Sequence, residues 1–242
     1  MTAQAGSRPD IQISGVTCRF GPRTALRDVT LSLRERRIGI VGRNGSGKTT
    51  LSRLIAGLVA PDEGTVRVAG VDVCKDRKAA IRTVGILFQN PDHQIIFPTV
   101  EEELAFGLRQ LGYDKPTARD GARAMLARFG RDDWHDRSVD SLSQGQRHLV
   151  CLMAVLAMRP KVIVLDEPFS GLDIPTTRAL RRYLDGLEAT LIHVTHDPAA
   201  LTGYDRAIWL DRGELSGDGP ADTVLATYQS AMQEADDADA DL

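Results

Sequence analysis

Apolar residues recur along this chain at two different spacings, and the changes between them mark its elements. Period-two alternation at Ile11/Ile13, at Val29/Leu31/Leu33 and, after the turn Pro61-Asp62-Glu63-Gly64, at Val66/Val68 predicts the strands of a small antiparallel sheet. Four continuous apolar runs, Ile38 to Val41, Val84 to Phe88, Val162 to Leu165 and Leu191 to Val194, predict parallel strands covered on both faces. Each of these runs into a polar or glycine-rich segment at its C-terminal end, which is where open α/β sheets place their ligands. Leu51, Leu54, Ile55 and Leu58 follow helical spacing. From Pro91 to about Leu142 there are helical pieces with charged faces and no buried strand, which predicts a mostly helical insertion. Within it, Thr99-Val100-Glu101-Glu102 reads as a capping box. Ser143 opens a long apolar helix running to about Met158. The end of the chain, Glu234 to Leu242, is rich in Asp and Ala and lacks core-forming residues, so it reads as a solvated, disordered tail.

Composition narrows the class without naming it. A chain of 242 residues, 42% of them hydrophobic, can bury one large core. The net charge of −3 argues against a general nucleic-acid binder, which needs a basic face to neutralise phosphates. Cys18, Cys74 and Cys151 are scattered and show no CxxC spacing, so neither a disulfide framework nor a zinc site is expected, and a reducing compartment fits. The first ten residues are polar and do not read as a secretory signal. The longest apolar stretch, Leu149 to Met158, is too short to cross a bilayer, so a membrane role requires a partner.

The chemistry gathers at the strand ends. Gly42-Arg43-Asn44-Gly45-Ser46-Gly47-Lys48-Thr49-Thr50 lies between an apolar strand and an amphipathic helix, the setting of a phosphate-binding loop. Its glycines allow the backbone to curl around an anion, and its amides with the following helix N-terminus point at phosphates. Lys48 is expected against the β- and γ-phosphates of ATP, and the Thr49 hydroxyl on Mg²⁺. Asp166 ends a strand, the place for a carboxylate that supports Mg²⁺ through its water shell. Glu167 beside it suits the polarising of an attacking water. Gln89, just past another strand, is a further candidate Mg²⁺ ligand. Ser143 and Gly145 offer a hydroxyl, amides and a positive dipole end to an anion, although residues 142 to 146 alone also fit an ordinary helix cap.

Taken in order, the loop at 42–50, Leu142-Ser143-Gln144-Gly145-Gln146 and Leu165-Asp166-Glu167-Pro168 resemble the motifs of ATP-binding cassette (ABC) ATPases. The resemblance covers about residues 10 to 225, with the helical insertion at about 91 to 150 and an acidic tail over 226 to 242. It implies a P-loop NTPase (RecA-like) α/β core, an antiparallel β subdomain and an inserted helical signature subdomain. It also implies that Ser143, Gln144, Gly145 and Gln146 act in trans on ATP held by a second ABC subunit, a copy or a sister chain. Gln144 stands where glycine is commoner, and Gly171 of Ser170-Gly171-Leu172-Asp173 where alanine is frequent. His196 resembles the switch histidine that contacts the γ-phosphate; His193 is assigned no role. Phe20 matches the aromatic that stacks on adenine, usually a tyrosine, and a plain core or surface aromatic fits that position too.

The segment Phe88-Gln89-Asn90-Pro91-Asp92-His93-Gln94-Ile95-Ile96-Phe97-Pro98-Thr99-Val100 resembles the ATPases of energy-coupling-factor vitamin and metal-ion importers, most of all the biotin-uptake type. An exposed apolar cluster between prolines and acids suits docking of a partner helix bearing arginine, while the pattern also fits a loop packed over the core. The resemblance implies a peripheral ATPase at the cytoplasmic membrane face, with a membrane coupling protein and a small membrane substrate-binding protein as partners and no nucleic acid. A cobalt or nickel importer of the same type, and a soluble ABC ATPase of iron–sulfur cluster assembly, are the alternatives.

Overall fold

The computed structural model describes residues 10–169 and 171–240. The chain begins with β1 (Ile11–Phe20), β2 (Arg23–Leu33), β3 (Arg37–Val41), α1 (Lys48–Ile55), β4 (Glu63–Val68), β5 (Val71–Asp72), α2 (Arg77–Thr83) and β6 (Val84–Leu87). It continues with α3 (Val100–Gln110), α4 (Lys115–Arg128), α5 (Gln144–Ala157), β7 (Val162–Asp166), α6 (Ile174–Asp185) and β8 (Thr190–Val194). It closes with β9 (Arg206–Asp211), β10 (Glu214–Pro220) and α7 (Ala221–Ala240). Two compact units result: Met1–Ala80 with Thr190–Leu242, and Ile81–Ala189.

In the first unit β1 is antiparallel to both β2 and β4, which sets Ile13 opposite Leu31 on one side and Val66 on the other. The alternating residues Ile11, Ile13, Val29, Leu31, Leu33, Val66 and Val68 are all buried, as their spacing predicts. A second sheet pairs β3 in parallel with β8 and with β9, and β10 runs antiparallel to β9. Ile38, Ile40, Leu191, Ile192 and Val194 are sealed from solvent; burying each such side chain contributes about 1.5–3 kcal/mol.

The C-terminal element departs from expectation. Where a disordered tail is expected from residue 226, the chain is helical through Ala240. Ala221, Val224, Leu225 and Tyr228 of α7 are buried against Val41, Leu201 and Ala207, with Met232 packed beside them. The boundary at 226 therefore cuts a packed helix. Apolar residues at 221, 224, 225, 228 and 232 repeat every turn, and that stripe outweighs the acidic composition around it. The expectations for the first nine residues, for Ser170 and for the last two positions lie outside the described residues.

In the second unit β6 and β7 are parallel, with Leu87 opposite Leu165. The expected helical insertion is present as α3, α4 and short turns, and α5 follows it. Leu149, Val150, Cys151, Leu152 and Met153 of α5 are buried. The expected capping box at Thr99 is incomplete. Thr99 Oγ1 accepts from Glu102 N–H at 3.4 Å, but the Glu102 carboxylate accepts from the Thr99 hydroxyl at 2.6 Å. The bond from Thr99 N–H to the Glu102 carboxylate that would complete a capping box is not made; the hydroxyl bond stands in its place.

Candidate functional site

The sequence-predicted site residues fall into two groups, one in each unit. The first unit carries Phe20, the loop from Gly42 to Thr50, and His196. Gly42, Gly45 and Gly47 all have positive φ, at 150°, 80° and 104°. Glycine is required at two of them by close approach as well. A Cβ at Gly42 would stand 2.2 Å from the Leu210 carbonyl oxygen, and one at Gly47 2.6 Å from that of Ala25. Ser46 N–H donates to Arg43 O at 3.1 Å, closing the turn, while the buried Ser46 Oγ has no hydrogen-bond partner. Lys48 Nζ donates to Gly42 O at 2.6 Å and to Arg43 O at 2.9 Å, so the ammonium folds back across the loop that its own helix follows. A loop of this curvature, headed by α1 and crossed by one lysine, is a cradle for phosphates.

His196 emerges at the same end of the sheet. Ile40 pairs with Val194, and the Thr195 N–H donates to Ile40 O at 3.2 Å, so continuing the register brings His196 level with Gly42. Phe20 is half exposed at the end of β1, opposite Arg23. Arg23 donates to Gly45 O at 3.3 Å, which ties the Phe20 hairpin to the phosphate loop. Sequence reading missed Arg23: nothing local distinguishes it from any other surface arginine.

The second unit carries Gln89, Ser143 to Gln146, Asp166 and Glu167. Because β6 and β7 are parallel and in register, Gln89 and the Asp166-Glu167 pair leave the sheet at the same edge. Asp166 is buried, and Glu167 has φ +50°, a left-handed conformation costing about 1–3 kcal/mol in a residue other than glycine. Gln89 and Asp166 of this unit, and Thr49 in the first unit, each offer a hard oxygen, a chemistry that suits Mg²⁺ and not a soft metal. Among the described residues there is no group of three or more His, Cys, Asp or Glu that could hold an ion by themselves.

Ser143 caps α5 in a full capping box. Its Oγ accepts from Gln146 N–H at 3.3 Å, and Gln146 Oε1 accepts from Ser143 N–H at 3.0 Å, an arrangement worth about 1 kcal/mol. With Oγ accepting from the helix, the hydroxyl proton points away from it. Ser143, Gly145, Gln146, Gly171, Leu172 and Asp173 line part of a pocket of about 320 Å³ at this helix end. Gly145 approaches the loop after Glu167 so closely that a Cβ would stand 2.3 Å from the Gly171 carbonyl oxygen.

After Gln89 the chain is strapped down. Gln94 Oε1 accepts from Phe88 N–H at 3.0 Å, Asn90 caps the turn Pro91–His93, and Arg147 pairs with Asp92 at 2.9 Å. The expected exposed apolar cluster reduces to one residue. Ile96 is 67% exposed, while Ile95 is half-buried and Phe97, also half-buried, packs against Phe106 with ring centroids 5.1 Å apart. Cys151 Sγ lies 3.9 Å from Pro91 O, and burial pushes its thiol pKa up to about 12, so it stays a protonated core residue. Among the described residues no helix is long and apolar enough to cross a membrane.

Comparison with known proteins agrees with this assembly of parts. Residues 26–170 match the family model described as "ABC transporter". The "Biotin transport ATP-binding protein BioM" of Rhodobacter capsulatus is 54% identical over 92% of this chain and 95% of its own length. The protein of the same description from Rhizobium etli is 39% identical over 91% of this chain and 98% of its own. Among solved structures, cbiO1 of Clostridium perfringens, described as part of the ABC transporter complex cbiONQ, superposes with TM-score 0.74 at 25% identity. That match covers 92% of this chain and 93% of cbiO1. A dimeric post-hydrolysis structure of the ATP-binding cassette MJ0796 with ADP and Pi superposes with TM-score 0.77 at 24% identity, over 87% of this chain and 98% of its own.

The fold and the site define a P-loop ATPase, and the chain belongs to the ABC transporter family as an ATP-binding subunit. The resemblance to importer ATPases, most of all those of biotin uptake, is borne out.

Proposed function

We propose that this chain is the ATP-hydrolysing subunit of an energy-coupling-factor importer, dimerising around ATP to drive vitamin uptake, with biotin as the solute. The observation that carries this reading is the 54% identity to a biotin transport ATP-binding protein across 92% of the chain. The structural likeness to cbiO1 supports the same kind of membrane complex. An ATPase of this kind needs no vitamin pocket, so the solute is identified by kinship.

In this reading the loop from Gly42 to Thr50 binds the phosphates, with Lys48 on the β- and γ-phosphates and Phe20 against the adenine. Thr49, Gln89 and Asp166 hold Mg²⁺, which when bound neutralises charge on the transferring phosphoryl group. Glu167 orients the attacking water and His196 contacts the γ-phosphate. Ser143, Gln144, Gly145 and Gln146 meet the ATP of a second subunit, a copy of this chain or a sister. A membrane coupling protein and a small membrane substrate-binding protein complete the assembly, placing this subunit at the cytoplasmic membrane face.

The test is Glu167→Gln in the full chain with its membrane partners. ATP binding should persist, turnover should be lost, and Mg-ATP should trap a dimer visible by crosslinking. Membranes carrying the wild-type assembly should accumulate labelled biotin in an ATP-dependent way. Normal hydrolysis by the variant would remove Glu167 from its role, and uptake of cobalt or nickel instead of biotin would overturn the solute.

A further inference from the structure

Two segments of the first unit that only folding brings together make up its nucleotide site, the Phe20 hairpin and the phosphate loop. β2 is fixed to that loop along Ala25 to Arg27. A Cβ at Gly47 would stand 2.6 Å from Ala25 O and 2.7 Å from Leu26 Cδ2, so loop and strand are in contact. Gly213 adds a bridge: its carbonyl accepts from Arg27 N–H at 2.9 Å, and its N–H donates to Ser46 O at 3.1 Å. Ahead of those anchors the chain projects. Phe20, Gly21, Pro22 and Arg23 are all exposed, Gly21 turns at φ +58°, and Phe20 pairs with Arg23 across the turn. Burial therefore does not hold the Phe20 ring in place.

Arg23 supplies the missing tie. Its Nη2 donates to Gly45 O at 3.3 Å, and among the described residues that carbonyl is the one hydrogen-bond acceptor of the guanidinium. The group lies against Gly45 itself, where a Cβ would stand 3.1 Å from Nη2. Its donor is ionised, which makes the bond stronger than one between neutral groups. Gly45 has φ +80°, so the bond lands in the curled part of the loop. We propose that Arg23 is a positioning residue for nucleotide binding, its bond to Gly45 fixing the span between the Phe20 ring and the phosphate loop.

The span matters because a nucleotide is a bivalent ligand. Base and phosphates are joined through the ribose, so once the phosphates are seated the base meets Phe20 at an effective concentration set by geometry. A hairpin already held at the matching distance loses little freedom on binding, whereas a loose one must be ordered each time. Loss of the bond therefore weakens the contribution of the base and spares that of the phosphates. This inference rests on the proposed placement of adenine on Phe20 and of the phosphates on residues 42 to 50.

The test titrates the full chain with ADP, which carries base and phosphates, and with inorganic pyrophosphate, which carries phosphates alone. Arg23→Met keeps the length of an exposed side chain and removes its donors, so the fold should stand. ADP affinity should fall roughly tenfold, the scale of one hydrogen bond from a charged group. Pyrophosphate affinity should stay within about threefold, because salt screens an exposed charge. Arg23→Lys, which retains a cationic donor, should recover most of the ADP affinity. Combined with Phe20→Ala, Arg23→Met should add no loss for ADP beyond the one pyrophosphate shows, a coupling that a general loss of structure does not produce. Unchanged ADP affinity in Arg23→Met overturns the proposal, and so do additive losses in the double variant. Equal weakening of both ligands also overturns it, and makes the guanidinium a direct phosphate contact instead. Unchanged ADP affinity in Phe20→Ala is a different failure, that of adenine on Phe20, and is read from that variant alone.

Discussion

Glu103 of α3 accepts a hydrogen bond from the backbone N–H of Phe97 at 2.9 Å, and the same oxygen accepts from Ile96 N–H at 2.9 Å. One buried carboxylate thus satisfies two successive amides of an irregular segment and fixes which of its side chains face outward. Glu103→Ala would leave both amides without that acceptor, at about 1–3 kcal/mol for each one that water cannot reach. A loss of that size should lower the melting temperature by several degrees, since about 1 kcal/mol moves it by 2–4 °C in a chain of this length. Calorimetry reads this directly, and Glu103→Gln, which keeps an acceptor oxygen, should lose less. An unchanged transition in the alanine variant would show that the strap bears no load.

Because the strap turns Phe97 onto Phe106 and leaves Ile96 outside, the two neighbours should respond differently to aspartate. Ile96→Asp changes an exposed side chain and should leave stability and isolated ATPase activity within error, while preventing co-purification with membrane subunits. Phe97→Asp places a charge against an aromatic pair and should cost stability before any partner is considered. Recovery of intact membrane complexes with Ile96→Asp would move the docking surface elsewhere.

How far the sequence foretells this depends on whether a residue's environment is written in its neighbours. The four buried strands are legible because both faces are covered, so most residues in them are apolar. β10 is not, because its residues alternate between half-buried and exposed, with none fully buried, and Gly217 and Gly219 supply no apolar signal. The acidic end of α7 conceals a stripe whose period is one helical turn. At the site, the phosphate loop and the Ser143 cap are contiguous in sequence and therefore readable. Arg23 and Glu103 act on residues brought near by folding, and nothing in their local sequence marks them.

Glu101 is buried on α3 and receives hydrogen bonds from Arg119 and Arg123 of α4. Burial alone would raise its pKa, but the bonds from Arg123 and then Arg119 outweigh that, and the carboxyl is held below the ordinary glutamate value of 4.5. A folded pKa below the unfolded one means that the contribution is fully present above pH 4.5 and is lost as pH falls through the lower folded value. Both arginines are about half exposed, so removing the glutamate leaves solvated charges and not stranded ones. Glu101→Gln should therefore destabilise modestly at pH 7, by about 1–3 kcal/mol, and lose less stability than wild type on acidification below pH 4.5. Parallel denaturant curves at pH 7 and pH 3.5 would reveal a smaller pH dependence in the variant. An identical one would mean that other carboxylates govern the acid limb.

Gly145→Ala tests the signature helix at its tightest point. Its backbone is helical, so alanine meets no conformational penalty, and helix propensity by itself favours it by about 1 kcal/mol. The obstacle is the Gly171 carbonyl oxygen, 2.3 Å from where the new methyl would stand, with Leu172 at 3.6 Å. Relief requires α5 and the 171–173 loop to separate by about 1 Å, since ordinary carbon contacts begin near 3.5 Å. That movement displaces Ser143 relative to the loop and leaves the sequence from Gly42 to Thr50 unchanged. The variant should therefore bind ATP as a monomer with unchanged affinity, yet fail to form the Mg-ATP dimer when combined with Glu167→Gln. Nucleotide titration and crosslinking on the same preparation separate the two. A normal dimer yield would show that the helix and the loop tolerate separation, and that the signature contact is less exacting than its packing implies.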